Sequence, residues 1–147
     1  MGQLIIPSLS KVYTDSSIFI YTIESNPNFF ALLQPLWAKF QTGEIEIVSS
    51  ELTLMETLVV PLRNSDTSLV TAYEQLLLTR GIQIMPITQS ILKDAARLRA
   101  TTNLKTPDAL HAATAFAASC TMFLTNDRAF RNVSGLPVTV LIEVLAS

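Results

Sequence analysis

Asp15, Glu56, Asp108 and Asp127 are the residues whose type and placement could do chemistry in this chain. Each falls where a buried strand passes into a helix, early in a helix, or within one. Charge is otherwise sparse, at 15% of residues against 49% hydrophobic. An ionised carboxylate near a core is costly unless it is paired or bound to a cation. Four acids converging on one pocket would make a magnesium or manganese site, because hard divalent ions take oxygen ligands and magnesium keeps several of its waters. Such a site activates water and offsets charge on an attacked phosphate. Without a cation, clustered acids repel one another and some titrate high.

Taken singly, the four differ. Asp15 directly follows the first expected strand, at the strand end where open parallel sheets collect ligands. A helix cap is the plain alternative, although Ser16 and Ser17 are also there to cap. Glu56 is flanked by Leu52, Leu54, Met55, Leu58 and Val59, which implies substantial burial, and buried glutamate is rare without a partner. Glu51, in the first turn of the same helix, merely complements its dipole. Thr106 and Pro107 read as N-cap and first helical residue, which puts Asp108 at the second helical position. It heads an alanine-rich helix expected to be buried nearly all round. Asp127 can be an ordinary cap of a short helix through Phe130 and Arg131.

Around these acids, Thr125, Asn126 and Ser16 could orient water or substrate, or simply close local turns. His111, the one histidine, lies a helical turn after Asp108 and reads as a packed, hydrogen-bonded residue rather than a catalytic base. Lys105, Arg128, Arg131 and Arg63 are candidate phosphate contacts beside the acid motifs, with solvated surface as the plain alternative. Phe29, Phe30, Trp37 and Phe40 fall at helical spacing and suit a core or a dimer face better than a base-stacking platform.

The elements that must position these residues alternate. Strands are expected at 11–14, 45–48, 82–85, 121–124 and 138–141. Helices are expected to open at Ser16, to span Asn28 to Gln41 with a kink or break at Pro35, and to run to Arg63 from a cap at Ser49 or Ser50. Further helices run from Thr67 to Arg80 behind an Asp66 cap and before Gly81, from Thr88 towards Thr101, and from Thr106. Strands alternating with helices call for a parallel sheet with right-handed crossovers. The class is α/β in three layers, as one domain over residues 1–147.

Bulk properties agree. A mean hydropathy of +0.39 suits a parallel sheet covered on both faces. The net charge of -2 gives no overall basic field for nucleic acid. Cys120 is alone, so no disulfide framework is expected and a reducing cytoplasm is the natural setting. The start, MGQLIIPSLSK, lacks a basic n-region and does not read as a signal peptide, and Ile6 stands where a myristoylation motif has Ser or Thr. No membrane span is expected, since the weakly polar stretch 109–124 is broken by His111, Thr114, Ser119 and Thr121.

The segments VYTDSSIFIYTIE, SSELTLMETLVVPLR, TPDALHAATA and FLTNDRAF resemble the PIN-domain ribonucleases, in particular the VapC-type toxins of bacterial toxin–antitoxin pairs. They follow that family's order over nearly the whole chain. Thr14 departs from the bulky apolar residue usual before the first acid. The resemblance implies five parallel strands in order 3-2-1-4-5. It implies Mg²⁺ or Mn²⁺ held directly or through water by Asp15, Asp108 and Asp127, with Glu56 completing the cluster. It also implies an RNA substrate, an antitoxin that masks the acidic pocket, and a homodimer. A stand-alone PIN nuclease of RNA processing or decay is the nearer alternative.

A receiver-like phosphoacceptor domain is the alternative of another class, but it calls for an acidic pair beside the first strand and a lysine after the last. Ser16-Ser17 follows Asp15, and residues 138–147 hold no lysine. The four glycines are scattered and form no phosphate loop.

Overall fold

Val12 and Tyr13 are neighbours in sequence and lie on opposite faces of a five-stranded sheet, as the two-residue strand period requires. The structure is a computed structural model and describes residues 2–147. Its strands are β1 (Lys11–Thr14), β2 (Glu46–Ser50), β3 (Gln83–Met85), β4 (Met122–Thr125) and β5 (Val138–Val140). All pairings are parallel, as the alternation of strands and helices called for, and the order is β3-β2-β1-β4-β5, as the resemblance implied. That order differs from the 2-1-3-4-5 arrangement of flavodoxin-like sheets, which removes the receiver-like alternative.

The helices are α1 (Ser16–Ile23), α2 (Gln34–Gln41), α3 (Leu52–Arg63), α4 (Thr67–Thr79), α5 (Gln89–Thr101), α6 (Thr106–Ala117) and α7 (Leu141–Ala146). Tyr13, Val48 and Phe123 face a core shared with Ile91 and Ala95 of α5 and Ala109, Ala112 and Ala113 of α6. Val12, Ile47 and Leu124 face the other core, with Ile18 and Phe19 of α1, Leu36 of α2, Leu77 of α4 and Leu141 of α7. Every residue from Ala109 to Ala115 is buried, so α6 is the hydrophobic helix the sequence implied. Small alanine side chains let it lie close against the sheet.

Several expectations shift. Residues 28–33 are turns, and the helix begins only at Gln34. Pro35 lies in its first turn, where its missing N–H costs nothing, so the proline starts a helix instead of kinking one. The cap of α6 is Lys105, which places Thr106 first and Asp108 third in the helix. β4 extends to Thr125, which pairs with Val140, so this threonine belongs to a strand and not to the turn after it. The chain also ends in α7, a six-residue apolar helix too short for its periodicity to separate it from the preceding strand. Finally, α3 is not enclosed on all sides: Met55, Val59, Val60 and Leu62 are exposed.

From central β1, the chain first builds β2 and β3 on one side, then crosses over to build β4 and β5 on the other. The crevice where such an order reverses, at the carboxyl ends of the strands, is the place an open α/β sheet offers a ligand.

Candidate active site

Register brings the first two candidate side chains together. Thr14 of β1 pairs with Leu124 of β4, so Asp15 and Thr125 emerge side by side at the switch point. Thr125 Oγ1 donates to Asp15 Oδ2 at 2.5 Å and accepts the backbone N–H of Asp127 at 3.1 Å. One buried hydroxyl thereby links two of the four acids. Asp15 Oδ1 accepts from Ser17 twice, from its N–H at 3.2 Å and its hydroxyl at 2.5 Å. Asp15 is thus itself the N-cap of α1, a job the sequence also offered to the serines. Ser17, not Ser16, makes these contacts, as a donor two residues after an N-cap aspartate should.

Asp15 is buried, and that burial raises its carboxyl above the ordinary range. The charge His111 carries when protonated, with the hydrogen bonds from Ser17 and Thr125, works in the opposite direction. Asp108 lies in the first turn of α6, where the helix dipole favours its charged form. Its carboxyl is nonetheless raised, first by desolvation and next by the negative charge of Asp127, with Asp15 and Glu56 adding to it. The four acids therefore share one electrostatic neighbourhood. Asp127 is exposed and caps the short 3₁₀ helix Arg128–Asn132 by accepting from Ala129 N–H at 2.9 Å.

Glu56 reaches the site from α3 with a side chain 25% exposed. Its partner is His111 of α6, whose Nε2 lies 2.6 Å from Glu56 Oε1. His111 Nδ1 is 2.6 Å from the hydroxyl of Tyr13 on β1, and Tyr13 stacks on Phe123 with centroids 5.0 Å apart. The structure agrees with a packed, hydrogen-bonded His111 and adds a contact to an acid that the sequence did not suggest. Tyr13, two residues before Asp15 and on the same face, was not singled out either. The strand period was the available signal.

The polar and basic candidates divide. Asn126 Nδ2 donates to Tyr21 Oη at 3.0 Å, and its Oδ1 accepts from Ile142 N–H at 2.8 Å. Its amide therefore ties α1 and α7 to the loop after β4. Lys105 is exposed at the head of α6. Arg128 Nε lies 3.1 Å from Glu143 Oε2, and Arg131 bonds the same carboxylate. The two arginines hold Glu143 below the usual carboxylate range. Arg63 is exposed at the end of α3.

Carboxylate oxygens are the hard donors magnesium and manganese prefer, and a cation would relieve both the burial of Asp15 and the repulsion at Asp108. Among the described residues, no three His, Cys, Asp or Glu side chains converge tightly enough to enclose an ion unaided. A cation here would have to complete its shell with water and other oxygen ligands.

The PIN domain sequence model matches residues 12–136. Comparison with curated proteins finds no match. Among solved structures, the fold is similar to Rickettsia felis VapBC2 bound to a promoter DNA fragment, with TM-score 0.70 and 15% identity over 88% of this chain and 98% of that one. It is also similar to a toxin–antitoxin complex from Klebsiella pneumoniae, with TM-score 0.66 and 22% identity over 88% and 96% of the two chains. A third is Mycobacterium tuberculosis VapC20, a sarcin–ricin loop cleaving toxin, with TM-score 0.64 and 15% identity over 76% and 86%.

Proposed function

The chain belongs to the PIN domain family, and from that premise we propose that it is a metal-dependent endoribonuclease of the VapC type, restrained by a cognate antitoxin. The observation that carries this reading is the placement of Asp15 at the switch point of the sheet, where the Thr125 hydroxyl donates to it and accepts the Asp127 N–H. Asp15, Asp108 and Asp127 would hold Mg²⁺ or Mn²⁺ with water completing the shell, and Glu56 would close the cluster. When bound, the cation supplies positive charge at the phosphodiester and acidifies water there.

The chain's own residues do the rest. Thr125 fixes Asp15 and the Asp127 backbone in one arrangement, and Ser17 holds the other oxygen of Asp15. Lys105, Arg128 and Arg131 supply positive charge near the acids for an anionic RNA backbone. The antitoxin is proposed because the similar VapBC and toxin–antitoxin structures are complexes of that kind. Exposed Met55, Val59, Val60 and Leu62 on α3 give apolar surface for protein contacts, including a second copy of the chain. Among the described residues no helix is long and apolar enough to cross a membrane; a cytoplasmic setting is part of the proposal.

The test is a mixed RNA pool incubated with purified protein in Mg²⁺, in Mn²⁺, in EDTA, and with Asp15→Asn in Mg²⁺. Asparagine remains a good N-cap, so α1 is kept while the charge is lost. Cleavage is expected only for the wild type with metal. Equal cleavage in every arm would overturn the reading.

A further inference from the structure

Both ring nitrogens of His111 carry a 2.6 Å contact, one to Tyr13 and one to Glu56, and its side chain is only 3% exposed. The partners dictate where the protons sit. A carboxylate only accepts, so the hydrogen belongs on Nε2. Tyr13 is fully buried, and a phenol keeps its proton up to about pH 10. The phenol therefore donates to Nδ1. The donors run one way, from Tyr13 through His111 to Glu56, and a neutral imidazole with its hydrogen on Nε2 satisfies every contact.

The three members come from β1, α6 and α3, the elements that lead into or carry Asp15, Asp108 and Glu56. Glutamate has rotamer freedom to lose when it is ordered. The bond from His111 restricts that freedom at Oε1, and among the described residues Oε2 has no hydrogen-bond partner. Partners of this outer kind commonly fix the orientation of groups that meet a metal.

We infer that His111 is a positioning residue that holds Glu56 through Nε2–H, with Tyr13 setting the tautomer, so that Glu56 meets the other acids with Oε2. The catalytic consequence rests on the metal-nuclease reading. The hydrogen-bond arrangement does not, and can be read on metal-free protein.

Because the chain has one histidine, ¹⁵N–¹H correlation spectra of the imidazole report this ring alone. The expected result is the Nε2–H tautomer with a slowly exchanging proton, lost to exchange in Glu56→Ala. The Nδ1–H tautomer, or a proton unaffected by Glu56→Ala, would overturn the arrangement.

Two substitutions then separate positioning from packing. His111→Gln can keep a donor towards Glu56, whereas His111→Asn can keep an acceptor towards Tyr13. Positioning predicts that His111→Asn lowers kcat and weakens Mn²⁺ binding by about 10- to 100-fold. KM for RNA should stay within about threefold, and His111→Gln should remain within about fivefold of wild type, both small beside a lost charged hydrogen bond. It also predicts that His111→Asn adds no further loss of Mn²⁺ affinity to Glu56→Ala, a cycle that needs no activity.

Equal losses for Gln and Asn, or additive losses in the cycle, would make His111 a packing residue only. Should His111→Asn not fold, Tyr13→Phe and His111→Gln carry the same comparison. A wild type that cleaves no RNA would remove the nuclease reading alone, since the tautomer still decides the positioning of Glu56.

Discussion

Thr125 donates to Asp15 across 110 residues of chain, at 2.5 Å, from the strand beside it. The same hydroxyl receives the N–H of Asp127, so one side chain sets the spacing of an acid from each of two strands. Hydrogen bonds to charged groups contribute roughly 1.5–3 kcal/mol. Thr125→Val should lower kcat by about 10- to 100-fold on that basis. Thr125→Ser, which keeps the hydroxyl, should stay within a few-fold. Steady-state cleavage of one RNA by both variants checks this, and a fully active Thr125→Val would refute it.

Asp108 gives a stability prediction with a definite sign. Its carboxyl is raised in the folded chain, by burial first and Asp127 second. A raised carboxyl contributes stability below its unfolded value of about 3.9, and that contribution is lost as pH rises through the folded value. Asp108→Asn mimics the neutral form at every pH. Without metal, the variant should therefore melt above wild type near neutrality, and by less near pH 4. Paired melting curves in EDTA decide it; an advantage that shrinks as pH rises runs against the argument.

Metal should reverse that order. A ligand that binds only the folded state stabilises by about 2.7 kcal/mol at a hundred times its dissociation constant. Mn²⁺ should raise the melting temperature of wild type and not that of Asp15→Asn or Asp108→Asn, with EDTA restoring the starting value. The rise should weaken on acidification, because carboxylates must shed protons to bind. An equal rise in the acid variants would place the ion elsewhere.

Glu143 occupies two arginines proposed to meet RNA phosphates, Arg128 and Arg131. Exposed ion pairs contribute little to stability, so Glu143→Gln should leave the melting temperature almost unchanged. RNA binding should tighten, with a steeper dependence on salt as more phosphate contacts form. Filter binding at several salt concentrations, using Asp15→Asn to prevent cleavage, is the measurement. Unchanged affinity and slope would leave the arginines as solvated surface.

Asn126 should behave oppositely. Its amide spans Tyr21 and Ile142, so Asn126→Ala should destabilise by about 1–3 kcal/mol through the groups it leaves unpaired. Urea unfolding reports this. A variant with normal stability and impaired cleavage would return Asn126 to substrate or water orientation.

The sheet order, strand positions and acid-bearing elements were legible because they rest on local signals and a family resemblance carried by contiguous motifs. Asp66, Thr88 and Asp127 announce helix starts within three residues of themselves. The long-range partners were not legible. Tyr13 and His111 are 98 residues apart, and His111 and Glu56 are 55 apart; neither spacing distinguishes a contact from its absence. The apolar surround of Glu56 was a partial guide: the glutamate side chain is only 25% exposed and partnered, whereas Met55 and Val59 beside it are exposed. Sequence hydrophobicity does not say which face of a helix finds a neighbour.

The pairing of β1 with β4 has one more implication, in time instead of space. Asp15 is synthesised 110 residues before Thr125, yet Thr125 and Asp127 must be present before its carboxylate is held as described. Contacts of such sequence separation form late, because the intervening chain must be ordered first. Every shorter nascent chain carries the early acids without their arrangement. The arrangement proposed to hold the metal is thereby completed only after β4 has been made and has paired with β1.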